Sequence, residues 1–365
     1  MAGERPVMIT AGGTGGHVYP GLAVARELEA RGIPVLWMGT RKGLEARVIP
    51  AAGIPMAWCA VSALRGKGVL TWLLAPFRLA YALAQAGLIV LRHRPRLVLG
   101  MGGFVSGPGG AMAALFGRPL VIHEQNAVAG LTNRILARLA RRVLLGFPDS
   151  FAASRKTVYT GNPVRADIAA IEHPELRLAG RADQRLRVLV VGGSLGAQAL
   201  NQALPEALAR MDEPARPQVW HQTGPRNLEE TRARYRQAGV EGRVDAYIED
   251  MAEAYAWADV VVCRAGALTV AELAAVGVGA ILVPFPFAVD DHQSANAHFL
   301  AHTGAAVLLP QASLTPERLA DELAALDGDR ERVMGMAMAA RAQARPEAVR
   351  HVADLCEAVM RGEAA

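Results

Sequence analysis

The chain has 365 residues but only three cysteines, Cys59, Cys263 and Cys356. An odd, scattered set supports neither a disulfide framework nor a paired-cysteine zinc site. Lysine is equally scarce, occurring at 42, 67 and 156, so the net charge of +5 is carried almost wholly by arginine. Aromatic residues are few and do not interleave with a basic run, which argues against nucleic acid as a partner. A mild basic excess is left to serve an anionic membrane or a polyanionic substrate. Few residues precede the first apolar run, which leaves no room for a secretory signal and predicts a cytoplasmic chain. The most apolar stretch, 69–91, is interrupted by Pro76, Arg78 and Gln85. Its uncharged part, 79–91, falls short of the ~20 residues a membrane span needs. No Asp-x-Asp pair closes an apolar strand, so no tightly held metal is required.

Glycine is abundant, and its placement is informative. Val7–Ala11 runs into GGTGGH (12–17), and Val188–Val191 runs into GGSLGA (192–197). A glycine turn between a strand and a helix lets backbone N–H groups approach an anion, and the helix points its positive end at the same place. Neither turn fits the dinucleotide fingerprint or the P-loop: counted from Gly13, Val18 stands where the third glycine belongs. The halves echo each other again, with 97–101 leading into GGFVSG (102–107) and 259–263 into RAGALTV (264–270).

Apolar strands alternate with helical stretches throughout, which predicts an α/β protein with parallel sheets. Strands are expected at 7–11, 35–39, 97–101, 119–123 and 142–147 in the first half. In the second half they are expected at 187–191, 218–222, 244–248, 259–263, 280–284 and 305–309. At this length two domains are expected: 1–163, with a C-terminal helix 342–365 packing back on it, and 164–341. TGNPVR (160–165) reads as a turn-rich hinge and 172–186 as a charged helix. Trp72, Phe77 and Tyr81 stand among Arg65, Lys67, Arg78, Arg92, Arg94 and Arg96. That mixture suits either a core helix with solvated ends or a peripheral patch on anionic lipid.

Four groups of residues carry candidate chemistry. His17 closes the first glycine turn at a helix N-terminus, where the dipole disfavours the imidazolium and suits a neutral base. His123, Glu124, Gln125 and Asn126 follow an apolar strand, at the end where open α/β sheets bind ligands. In RAGALTVAE, Ala267, Leu268 and Thr269 open a helix suited to a diphosphate, and Glu272 suits a ribose diol. Thr269 with Glu272 also fits an ordinary capping box. The amides of Gln293 and Asn296, one helical turn apart, suit sugar hydroxyls. Adjacent Asp290, Asp291 and His292 make a weak metal motif, because neighbours on one loop rarely face one ion.

GGTGGH, MGGFVSGPGG, HEQN, GNPVR, GGSLGA, RAGALTVAE and DDHQSANA follow one another along nearly the whole chain. In that order they resemble the MurG family of glycosyltransferases. The resemblance implies two Rossmann-like lobes facing a cleft, the GT-B fold. It implies transfer of N-acetylglucosamine (GlcNAc) from UDP-GlcNAc to the 4-hydroxyl of undecaprenyl-diphospho-N-acetylmuramoyl-pentapeptide (lipid I), giving lipid II at the cytoplasmic face of the inner membrane. Its partners would be UDP-GlcNAc, lipid I, an anionic membrane surface and other cell-wall synthesis proteins. No cofactor would be required, and a divalent cation would at most stimulate. By the same resemblance Ser194, Ile248, Ala267, Leu268, Thr269, Val270, Ala271, Glu272, Gln293 and Asn296 would hold the donor. Thr14, Gly15, Gly16, Asn126 and Arg165 would complete the substrate site. The glycine loops 12–16 and 102–110 would receive the acceptor's diphosphate. The loop 285–291 varies among family members. Inversion at the anomeric carbon in one displacement needs a base, for which His17 is the first candidate and Glu124 the second. The alternatives are a UDP-sugar epimerase of similar fold or another UDP-sugar-dependent transferase.

Overall fold

The computed structural model describes residues 5–61, 74–193 and 196–363. The chain divides into two compact units, Met1–Arg165 with Pro346–Ala365, and Ala166–Arg345. The first unit holds seven strands: β1 (Val7–Thr10), β2 (Val35–Gly39), β3 (Met56–Trp58), β4 (Leu97–Gly100), β5 (Leu120–Glu124), β6 (Arg142–Leu145) and β7 (Thr157–Tyr159). The second holds β8 (Arg187–Val191), β9 (Gln218–Gln222), β10 (Arg243–Asp245), β11 (Val260–Cys263), β12 (Gly279–Leu282) and β13 (Ala306–Leu308). The strand orders are β3-β2-β1-β4-β5-β6-β7 and β10-β9-β8-β11-β12-β13, and every pairing is parallel.

These strands form because their residues must be buried on both faces. VMIT, LVLG, RVLVV and VVVC are β-branched or aliphatic runs, and helices cover both sides of a parallel sheet. Val7, Ile9, Val24, Leu28 and Trp37 pack on one face of the first sheet, and Met8, Met38, Ala86, Val90 and Ile122 on the other. The C-terminal helix Ala348–Arg361 adds Val352, Ala353, Cys356 and Val359 to the first of these cores. Arg31 ties it to the helix Gly15–Ala30 through Asp354 and Glu357.

In both sheets the strand order reverses once, between β1 and β4 and between β8 and β11. Loops leaving the C-terminal ends of strands on either side of such a reversal diverge, and the gap between them accepts ligand. All four echoing glycine segments of the sequence leave these four strands.

The structure departs from the sequence expectations in two places. Strands β3 and β7, two three-residue edge strands, were not among the expected ones. The segment 172–186 is helical only over Pro174–Arg177. Its arginines act otherwise: Arg177 donates to the carbonyls of Ala258 and Gly277, which end two helices, and Arg181 pairs with buried Asp259 at 2.9 Å. Cations at helix C-termini oppose the negative end of the dipole. Of the expected hinge 160–165, Thr160 and Asn162 are buried and the amides of Thr160 and Gly161 both donate to the carbonyl of Leu145; the chain divides after Arg165.

The stretch 75–93 forms one helix with two apolar faces. Ala82, Ala86, Gly87 and Val90 are buried against the sheet and the helix Ser106–Leu115. Phe77, Leu79, Tyr81, Leu88 and Leu91 are exposed, Phe77 by 74%. The core-helix reading holds for the buried face of this stretch; Arg65, Lys67 and Trp72 lie outside the described residues.

Candidate active site

In the first unit the site is built on two glycine turns packed back to back. Gly102 (φ 96°) and Gly103 (φ 79°) are left-handed, and a Cβ on Gly103 would run into the carbonyl of Gly12. Only glycine permits both the turn and the close approach. A Cβ on Gly102 would lie 2.6 Å from His17 Nδ1, so this turn also forms the floor under the imidazole. Ser106 locks the second turn by donating to the carbonyl of Thr10 at 2.6 Å.

Thr14, Gly15 and Gly16 open the helix Gly15–Ala30, with Thr14 at the extended N-cap position and partly exposed glycines behind it. One amide of this turn is already occupied. Gly13 N–H donates to Oε2 of Glu45, a fully buried carboxylate whose Oε1 accepts from the amide and hydroxyl of Thr40. Cβ atoms on Gly12, Gly39 or Gly43 would collide with Glu45. Sequence reasoning missed this residue. Its signal was that Glu45 is the only acid between Glu29 and Glu124. An anion bound to this turn therefore meets the amides at the helix start, not that of Gly13.

The HEQN segment closes the site. His17 is half-buried, and its Nδ1 lies 3.0 Å from Gln125 Oε1. Gln125 Nε2 donates to the carbonyl of Met101 at 2.9 Å and to His123 Nδ1 at 3.2 Å. His123 is wholly buried, and burial pushes its pKa down to about 4. Glu124 does not fit its place as second candidate base. Oε1 accepts from the amide and Nδ2 of Asn126, and Oε2 from the amide of Gly130 and Nδ2 of Asn133. With every oxygen occupied by donors and only 2% of its surface exposed, this carboxylate organises its loop. Asn126 is half-buried against it, and Arg165, also half-buried, ends the first unit.

In the second unit the helix Ala267–Val276 begins at Gly266, which holds the N-cap position with extended backbone. The Thr269–Glu272 capping box expected from sequence therefore does not form, because the helix starts three residues earlier. Ala267, Leu268 and Thr269 supply its first turn, whose N–H groups have no intrahelical acceptor. Glu272 lies one turn further on and accepts from the hydroxyl of Tyr255 at 3.0 Å. Val270 is buried in this helix, and Ala271 is half-buried. Ile248 is buried in the loop after β10. Gly193 (φ 82°) turns the chain after β8, and Gln222 Nε2 donates to its carbonyl; Ser194 lies outside the described residues.

The two amides expected to meet sugar hydroxyls are engaged by the protein. Asn296 is fully buried and donates to the carbonyl of Ala265, which fixes the loop before the diphosphate-type helix. Gln293 Oε1 accepts from the amide of Phe285, leaving its Nε2 for other contacts. Asn296 thus shapes the site from behind, where sequence had placed it in the front. Asp290 and Asp291 both take left-handed backbone, and Asp291 accepts from the Ser294 hydroxyl at 2.7 Å. Among the described residues no three His, Cys, Asp or Glu side chains converge on one point.

Comparison with known proteins accords with this geometry. Residues 7–145 match the glycosyltransferase family 28 N-terminal domain, and residues 187–352 match the family 28 C-terminal domain. A relative from Alkalilimnicola ehrlichii is 58% identical over 96% of this chain and 98% of its own. It is named UDP-N-acetylglucosamine–N-acetylmuramyl-(pentapeptide) pyrophosphoryl-undecaprenol N-acetylglucosamine transferase. This chain belongs to the MurG family. A relative of the same name from Marinobacter nauticus is 56% identical, covering 97% of each chain. The crystal structure of Acinetobacter baumannii MurG superimposes with a TM-score of 0.83 at 43% identity, covering 97% of this chain and 99% of that one. Two Rossmann-like units with family 28 halves are the parts of the GT-B fold that the MurG resemblance implied.

Proposed function

We propose that the chain transfers GlcNAc from UDP-GlcNAc to the 4-hydroxyl of lipid I, forming lipid II of peptidoglycan synthesis. The observation that carries this reading is the full-length match to transferases so named, with the family's motifs at both strand-order reversals. Near-full-length identity of 56–58% to proteins named as this transferase favours transfer over the epimerase alternative.

The chemistry divides between the units. In the second, the first turn of Ala267–Val276 and the GGSLGA turn offer N–H groups and a dipole to the UDP diphosphate. The same groups stabilise the charge that develops on UDP as it leaves. Glu272 accepts from the ribose hydroxyls, and the backbone at Ile248 faces the uracil. In the first, the helix start at Thr14–Gly16 receives the acceptor's diphosphate. His17 takes the proton of the attacking 4-hydroxyl, and in-line attack turns the α-linked donor into a β-1,4 product. This route asks for no cofactor.

The acceptor's lipid suggests peripheral attachment to the cytoplasmic face of the cell membrane. Among the described residues no helix is long and apolar enough to cross a bilayer. The first unit instead exposes Phe77, Leu88, Leu115, Leu131 and Ile135 on three helices packed in succession, and Leu139 in the turn after the last. Exposed Arg78, Arg92, Arg134 and Arg138 are interspersed among them. Apolar insertion beside arginine is what binds a protein to anionic lipid. Other cell-wall synthesis proteins are natural partners at that surface.

The function is tested by UDP release from UDP-GlcNAc with and without lipid I. Release that requires lipid I is expected, and equal release in its absence would overturn the reading.

A further inference from the structure

The proton positions around His17 follow from the acceptors that surround it. At one end, the carbonyl of Gly161 accepts from His123 Nε2 at 3.0 Å. A carbonyl has no proton to give, so His123 carries its hydrogen on Nε2. Burial keeps His123 neutral, with its pKa near 4, so its Nδ1 holds a lone pair. Gln125 Nε2 faces that lone pair at 3.2 Å and the carbonyl of Met101 at 2.9 Å. The reversed amide would set Oε1 against the Met101 carbonyl oxygen and the His123 lone pair, opposing acceptor to acceptor at two points. Both amide hydrogens of Gln125 are thereby used, and Oε1 is turned towards His17 Nδ1 at 3.0 Å. Asn162 pins the same residue by donating to the Gln125 backbone carbonyl at 2.9 Å.

We infer that Gln125 is a positioning residue that holds His17 in its Nδ1–H tautomer, so that Nε2 is the atom that takes the acceptor's proton. The inference rests on His17 as the base. A histidine in water favours hydrogen on Nε2; here the order is reversed by a chain of fixed hydrogen bonds running from the accepting Gly161 carbonyl through His123 and Gln125. Gly102 completes the device from below, since its missing Cβ is what lets the ring lie against the amide. The hydroxyl proton passes to Nε2 as the oxygen's electron pair forms the bond to the anomeric carbon. The bond to UDP breaks with its electrons, and the resulting imidazolium returns the proton to solvent.

The test reads the tautomer directly. In the full chain labelled with 15N-histidine, the His17 signals are assigned by their loss in His17→Gln. The expected spectrum has Nδ1 in the protonated range and Nε2 in the unprotonated range. His17 with Nε2 protonated and Nδ1 bare in the wild type would overturn the inference without any variant having to fold. Gln125→Met, nearly isosteric and without the amide, should shift His17 towards the Nε2–H tautomer and lower kcat by about 10- to 100-fold. The KM for UDP-GlcNAc should hold. A folded Gln125→Met protein with the wild-type tautomer, or with kcat within about threefold of wild type, would also overturn it. Failure of the base reading is separable: His17→Ala would then keep kcat, whatever the tautomer spectrum shows.

Discussion

Replacing Glu124 by glutamine separates a structural carboxylate from a catalytic one. Each oxygen of Glu124 accepts from two N–H donors, at 3.0 and 3.2 Å for Oε1 and 3.0 and 2.9 Å for Oε2. An amide keeps one acceptor oxygen and presents an NH₂ where the other stood. On that side two donors lose their acceptor and face a third donor. A hydrogen bond to a charged group contributes about 1.5–3 kcal/mol, so the gross loss is roughly 3–6 kcal/mol. Local relaxation, a side chain turning out or water entering, would recover part of it. We expect Glu124→Gln to destabilise the first unit by about 3 kcal/mol. That is a melting shift of some 6–12 °C at about 2–4 °C per kcal/mol for a unit of this size. Differential scanning calorimetry, which resolves the two units where their transitions separate, measures it. Asn133→Ala should be less than additive with it, because both remove the same contact. If Glu124→Gln melts with the wild type while kcat collapses, the carboxylate acts on substrate and the loop argument is wrong.

Glu272→Ala should weaken UDP-GlcNAc binding by about 1.5–3 kcal/mol, the contribution of a lost charged hydrogen bond, and titration calorimetry would read it; unchanged affinity in a folded variant would remove Glu272 from the donor site. Phe77→Ser with Leu88→Ser should weaken binding to vesicles of anionic lipid by about tenfold per residue, and added salt should weaken the wild type too. Binding that only detergent reverses would contradict peripheral attachment. Burial lowers the pKa of His123 to about 4 and of His221 to about 3, against about 6.5 in an unfolded chain. The unfolded state therefore binds the proton first, so this stability is present above pH 6.5 and is lost as pH falls towards the native values. From pH 6.5 to 5 each unit should lose roughly 2 kcal/mol through its own histidine, and denaturant unfolding independent of pH over that range would refute the burial of these rings.

The fold was legible because parallel sheets write themselves into sequence as continuous apolar runs, and most runs here end on glycine, proline or a polar cluster. Val7–Thr10 and Val260–Cys263 could hardly be read otherwise. Of the four three-residue edge strands, β10 and β13 overlap stretches that were expected as strands, whereas β3 and β7 were not read. The candidate site was legible as loops but not as side-chain roles. His17, Glu124 and Asn296 stood out as polar residues in the right places, yet only coordinates reveal that two of them turn inward. Glu124 and Asn296 satisfy backbone and amide groups across 2 to 31 residues of chain, a pairing no local pattern records. Glu45 escaped notice for the same reason, since its partners Gly13 and Thr40 belong to different loops. The capping box misled because a glycine with extended backbone can start a helix as well as a threonine can.

The central claim is inverting transfer of GlcNAc to lipid I. The purified chain, given UDP-GlcNAc labelled in the sugar and lipid I in detergent, should move the label into the lipid fraction. The anomeric coupling of the new linkage in the released disaccharide reports its configuration. The account predicts a β-1,4 bond to N-acetylmuramic acid; an α linkage, or label recovered as free sugar with lipid I unchanged, would contradict it.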